Sequence, residues 1–233
     1  MFIGSALWLA PLLRENVRYE PLRTFAPITL ATSAPSVLVV NAAVAAKSVR
    51  ELIALAKARP GALNYASSAT AGSAHLGAEL FKAMAGIDIV RISYKGNGPA
   101  VAGLLTGEVQ MMFANAAAVM AQVRAGKLRA LAVTSAKPSQ LLPELPTMAA
   151  SGVPGYEATT VYAMFAPVKT PPGIINRLNR EIVRVLRLPE FRDKFLANGA
   201  ESVGGSPQEL AAAMKAEISS MGKVIRDAGI REE

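Results

Sequence analysis

Cysteine is absent from the 233 residues. That excludes disulfides, thiolate zinc sites and thiol catalysis. Histidine occurs once, at His75, so no multi-histidine metal centre is possible and neither metal nor cofactor is expected. Acidic residues are the scarcer charge: 17 Asp and Glu stand against 25 Lys and Arg, a net charge of +8. No close pair of acids sits beside a plausible site. Aromatic residues make up only 6%, and no stacking row accompanies a dense Lys/Arg run, so nucleic acid is not an expected partner. The positive charge reads as scattered over solvated helix faces, where it helps attract anionic ligands. A bilayer-spanning run is also missing. The apolar start, Phe2 to Leu13, is short and broken by Pro11. No Lys or Arg precedes it, as a signal peptide requires.

Apolar residues are plentiful. They reach 52% against 18% charged, enough for a buried core and too many for a disordered chain. The length suits one large domain or two lobes. Along the chain, strands are expected over Met1–Ser5, Ala26–Thr32 and Val37–Val40. A helix capped by Ser48, with Glu51 three residues on, stops at Arg59-Pro60-Gly61. Further strands are expected over Leu63–Ala66, Ile87–Ser93, Val109–Phe113 and Leu128–Thr134. Helices lie between them and end at Gly86, at Gly107 and near Gly126. This alternation predicts parallel βαβ units.

The segment Ser135–Tyr156 is rich in Pro and Gly and reads as a connector with a short helix near Thr147–Ser151. A strand over Thr159–Ala166 precedes three amphipathic helices. Ile174, Ile175, Leu178, Ile182 and Val185 form one inward stripe, and Phe191, Phe195 and Leu196 another. Leu210, Met214, Ile218, Met221 and Ile225 form the last. Composition shifts after Asn41 and near Tyr156. The expected division is a first lobe of residues 1–44 and 157–233, with a second lobe of residues 45–156 inserted between two hinge crossings. Such a hinge suits a clamshell that closes on a ligand.

Three turns at the ends of expected parallel strands lead into helices. The first is Ser67-Ser68-Ala69-Thr70-Ala71-Gly72-Ser73, the second Tyr94-Lys95-Gly96-Asn97-Gly98-Pro99, with Pro99 at the helix start, and the third Ala114-Asn115-Ala116. Ligands of open α/β sheets bind at this edge, and free N–H groups at helix starts favour an anion. Candidate ligand-binding residues are Ser67, Ser68, Thr70, Ala71, Gly72, Ser73, Tyr94, Lys95, Gly96, Gly98 and Asn115. Plainer readings stand beside this one: Ser73 as an ordinary helix cap, Gly96 and Gly98 as turn glycines, Lys95 as a solvated lysine. Catalytic residues are not expected. Ser73 and His75 are two apart in a helix and face different ways, His75 reads as a capping or packing residue, and neither a Gly-x-Ser-x-Gly elbow nor a phosphate-binding Gly-rich loop occurs.

Longer motifs carry a resemblance. Tyr65-Ala-Ser-Ser-x-x-x-Gly-Ser-x-His-Leu-x-x-Glu-x-Phe, Tyr94-Lys-Gly-x-Gly-Pro-Ala, Ala125-Gly-Lys-Leu-Arg-Ala-Leu-Ala-Val-Thr-Ser and Pro143-Glu-Leu-Pro-Thr-Met occur in order along the chain. Tyr19-Glu-Pro-Leu-Arg-Thr-Phe-Ala-Pro-Ile, Gly152-Val-Pro-Gly-Tyr and Thr170-Pro-Pro belong to the same set. Together they resemble the Bug-type receptors, the extracytoplasmic solute-binding proteins of tripartite tricarboxylate transporters. The resemblance implies an α/β, two-lobed periplasmic-binding-protein-like (type II) fold. It also implies a small carboxylate ligand held between the lobes, membrane permease subunits as partners, a monomer, and a periplasmic location. Relative to the family, an opening βαβα segment and a signal peptide are missing before Met1, so the first lobe is expected to be incomplete. If Met1 is the true start, the location implied is instead cytoplasmic. Ala114 stands where the family commonly has Asp, and Ser93 where it commonly has Pro. Two other readings remain at this point: a ligand-sensing domain of a signalling protein, and a remnant that binds nothing.

Overall fold

The computed structural model describes residues 1–231. The elements run β1 (Phe2–Gly4), α1 (Ala6–Leu13), α2 (Pro21–Thr24), β2 (Phe25–Asn41), α3 (Val49–Ala58), β3 (Asn64–Ser67), α4 (Ser73–Ala85) and β4 (Val90–Ser93). They continue with α5 (Asn97–Thr106), β5 (Met111–Asn115), α6 (Ala116–Arg124), β6 (Leu128–Val133), β7 (Thr159–Pro167), α7 (Pro172–Leu186), α8 (Pro189–Ala197), β8 (Glu201–Ser202) and α9 (Pro207–Asp227). The chain divides into two compact units, residues 1–34 with 160–233, and residues 35–159. Among the described residues no helix is long and apolar enough to cross a membrane.

The 35–159 unit holds a mixed sheet in the order β6-β2-β5-β3-β4. β3 runs parallel to β4 and to β5, with Ser67 opposite Ser93 and Tyr65 opposite both Arg91 and Met111. This matches the βαβ expectation. The parallel pattern fails at β2, which is antiparallel to both β5 and β6. β6 therefore keeps the direction of β5 but is separated from it by β2. Val37, Val39, Ala66, Leu104, Met112, Val119 and Val133 form one buried layer beneath α5 and α6. Tyr65, Phe81, Phe113 and Tyr156 are fully buried, and the Tyr156 hydroxyl donates to the Gly77 carbonyl at 2.9 Å.

In the other unit, β7 lies between β1 and the first part of β2, and β8 pairs with β2 at Thr32 and Ser33. Helix α9 opens with a full capping box between Ser206 and Glu209. It buries Leu210, Met214, Met221 and Ile225. Trp8 of α1 is buried and donates to Glu217 at 2.8 Å.

Several local expectations are corrected. The two strands expected over 26–32 and 37–40 are one 17-residue strand. Pro35 lies between the β8 pairing, which ends at Ser33, and the β5 pairing, which begins at Ser36. Its missing N–H therefore removes no bond from either of these two ladders. The strand expected from Ile87 starts only at Val90, because Gly86 closes α4 in a left-handed conformation and the chain needs three residues to return to the sheet. The short helix near Thr147–Ser151 is a series of turns, with Thr147 bridging to Val133. The α7 and α8 stripes are not fully buried: Ile174, Leu178 and Phe191 are exposed, and α8 buries no residue. Ile175 of the same stripe is buried, so the face is only partly covered among the described residues.

Candidate functional site

The parallel strands β4, β3 and β5 all end at one edge of their sheet, at Ser93, Ser67 and Asn115. All three expected turns therefore lie side by side. The backbone joins the first two directly, because the Tyr94 N–H donates to the Ser67 carbonyl at 2.9 Å.

The first turn is the most elaborate. Ser67 is buried at the strand end, Ser68 is half-buried, and Thr70 and Ser73 are exposed. Ala71 has φ +56°, the one non-glycine left-handed residue among those described. Alanine in that region is strained by its Cβ, so something must hold it. The support is His75: the Ala71 N–H donates to Nδ1 of His75 at 3.1 Å. A backbone amide only donates, so Nδ1 is the unprotonated nitrogen and the imidazole proton sits on Nε2. Burial lowers the pKa of His75 to about 4, and the charge of Arg91 adds to the effect while Glu79 opposes it. His75 is thus a backbone brace, in line with its structural reading.

Helix α4 begins with Gly72 as its N-cap and no side-chain capping bond; Ser73 is the first helical residue. The reading of Ser73 as a plain cap is therefore incorrect. A helix start carries free N–H groups and partial positive charge, and here no side chain of the helix consumes them.

The second and third turns differ in character. Gly96 is the N-cap of α5 with φ +116°, a conformation that requires glycine. The helix starts at Asn97, two residues before the expected Pro99, which its first turn accommodates because a proline there gives up no helical bond. Lys95 and Gly98 are exposed. The Tyr94 side chain packs against the core, with its hydroxyl over Gly103 of α5. Burial, then the neighbouring Glu108, raises its pKa. Asn115 caps α6, its Oδ1 accepting from the Ala117 N–H at 2.9 Å.

Four residues behind the first turn were not among the candidate binding residues. Arg91 on β4 donates from Nε to Ser67 Oγ at 2.7 Å, and both terminal nitrogens lie 3.4 Å from Thr70 Oγ1. Tyr65 donates to the buried Glu79 at 2.6 Å, and Lys82 reaches the same carboxylate oxygen at 3.2 Å. Burial and Glu79 push the Tyr65 pKa upward. A cue was present: Tyr65 and Ser67 alternate on one face of β3, while His75 and Glu79 are four apart on one face of α4.

The comparisons with known proteins agree with this architecture. The tripartite tricarboxylate transporter family receptor description, TctC, matches residues 2–230. Protein BugT of Bordetella pertussis is 38% identical over 219 residues, covering 94% of this chain and 67% of BugT. A Pseudomonas sp. strain P51 protein from the tcbD–tcbE intergenic region is 37% identical over 211 residues, covering 90% of this chain. This chain spans 63% of that relative's length. Among solved structures, a Rhodopseudomonas palustris protein with adipate is similar with a TM-score of 0.76 and 35% identity, over 99% of this chain and 77% of its own. The fold is thus the α/β fold of this group's periplasmic binding proteins, and the chain belongs to the tripartite tricarboxylate transporter receptor family.

Proposed function

We propose that this chain is a solute-binding receptor that captures a small organic acid, a dicarboxylate in the first instance, for a tripartite tricarboxylate-type transporter. The observation that carries the reading is the braced first turn. Ser67–Ser73 holds a strained backbone in front of an α4 start that no side chain caps, with Arg91 beneath it. Such a turn suits a carboxylate, which accepts from backbone N–H groups and hydroxyls and is favoured by the helix field. The adipate held by the Rhodopseudomonas palustris protein supports a dicarboxylate.

In this proposal the ligand lies on Ser68, Thr70, Ala71, Gly72 and Ser73, with buried Ser67 supporting them through Arg91 and with Lys95, Gly96, Gly98 and Asn115 at the neighbouring turns. Tyr94 contributes by packing. Capture proceeds by closure of a first lobe (1–44 and 157–233) with a second (45–156), without chemistry. The ligand-bound form is then recognised by the permease subunits in the membrane. The protein works as a periplasmic monomer and without catalysis: its one histidine spends its acceptor nitrogen on the Ala71 amide and so does not serve as a general base there.

The test is a thermal-shift screen of organic acids on the full chain. A rise in melting temperature with dicarboxylates, and none with their diamides, is expected. No shift with any acid contradicts the receptor reading.

A further inference from the structure

Arg91 stands out among the charged residues of the 35–159 unit. It is a strand residue, placed by register opposite Tyr65, and its guanidinium is divided between two tasks. Nε donates to the buried Ser67 Oγ at 2.7 Å, a short and partly buried bond. The two terminal nitrogens meet only Thr70 Oγ1 in the turn, each at 3.4 Å and in exposed positions. Those contacts lie at the long end of the hydrogen-bond range. A neutral hydroxyl shared by two donors is also a weak acceptor beside a carboxylate. The inner nitrogen is therefore anchored while the outer pair is held in place, solvent-facing and weakly occupied. The guanidinium fork matches the two oxygens of a carboxylate. Lys95, the cation the sequence brings forward, is an exposed point charge on the second turn and has no such anchoring among the described residues.

We infer that Arg91 is the residue that selects a charged carboxylate at this site, its terminal nitrogens exchanging Thr70 for the ligand while Ser67 keeps the guanidinium in place. The inference rests on the receptor reading and deepens it. A neutral amide cannot replace the carboxylate, because it presents a single oxygen to two donors and carries no charge. Selectivity for acid over amide thus resides chiefly in one side chain, to which the helix start adds a weaker preference for charge, whereas the hydroxyls bond either.

Calorimetric titration with adipate and with its monoamide at neutral pH tests this on the full chain. The unchanged protein is expected to prefer the diacid. Arg91→Gln is expected to weaken adipate binding by about tenfold to a hundredfold and to bring the two ligands close to equal affinity. A residue that only shapes the turn would weaken both ligands in proportion, so an unchanged ratio in Arg91→Gln overturns the inference. Arg91→Lys keeps the charge and loses the fork, and should lose several-fold in adipate affinity with part of the preference retained. It carries the test if the glutamine variant does not fold; equal affinity and preference in Arg91→Lys overturn the inference as well. If the unchanged protein binds no acid at all, the receptor reading falls and this one falls with it. If it binds and the Arg91 variants behave as it does, the inference alone fails.

Discussion

His75 shows how much one residue can hold in place. Its Nδ1 keeps Ala71 in a left-handed conformation, and only the neutral ring can accept that bond. Its pKa of about 4 lies below the ordinary 6.5, so the fold favours the neutral form. The stabilisation is complete above about pH 6.5 and is lost as the pH falls from there through about 4. Asn at this position offers an oxygen near the Nδ1 site and does not titrate. The unchanged protein should therefore lose melting temperature between pH 6.5 and 4 more steeply than His75→Asn, and parallel curves would count against the brace. At this scale the sequence was half legible. The hydroxyls of the first turn announce themselves by clustering. Arg91 does not, because its importance arises from a strand register, Tyr65 opposite Arg91, that joins residues far apart in sequence.

At the scale of elements, helix ends and turns were the most readable features. Gly86 and Gly107 close α4 and α5 in the left-handed conformation, as stop-signal glycines do. Ser48 caps α3, accepting from the Glu51 N–H at 3.2 Å. The contact between α5 and the second turn is a packing event that the chain order conceals. A Cβ added at Gly103 would sit 2.3 Å from the Tyr94 hydroxyl and 2.7 Å from Cζ. Alanine is the better helix former by about 1 kcal/mol, yet overpacking of this kind costs about 1–3 kcal/mol. Gly103→Ala is therefore expected to destabilise the protein by about 1–2 kcal/mol in urea unfolding. Adding Tyr94→Phe should recover only part of that, since Cζ remains too close. A stabilised Gly103→Ala protein would show that Tyr94 is not held against α5.

Across the whole molecule, the α/β character and the edge of three turns follow from alternating strand and helix patterns, which are local. Strand direction is not local. The antiparallel course of β2 between β5 and β6 leaves no mark on its apolar run, because a buried strand reads the same in either direction. The exposed Ile174, Leu178 and Phe191 likewise could not be foreseen, since a periodic stripe shows which face is apolar and not whether anything covers it. The central claim is that the uncapped start of α4 receives a ligand carboxylate. Gly72→Asp tests it most directly, because Gly72 has φ −67° and ψ 163°, a conformation open to aspartate, and Asp is a preferred N-cap. The variant supplies its own carboxylate to the helix start. Titration of adipate into both proteins should show binding by the unchanged chain and at least about a tenfold loss in a Gly72→Asp protein that melts no lower. Equal adipate affinity in the two, with the variant folded, would contradict the account.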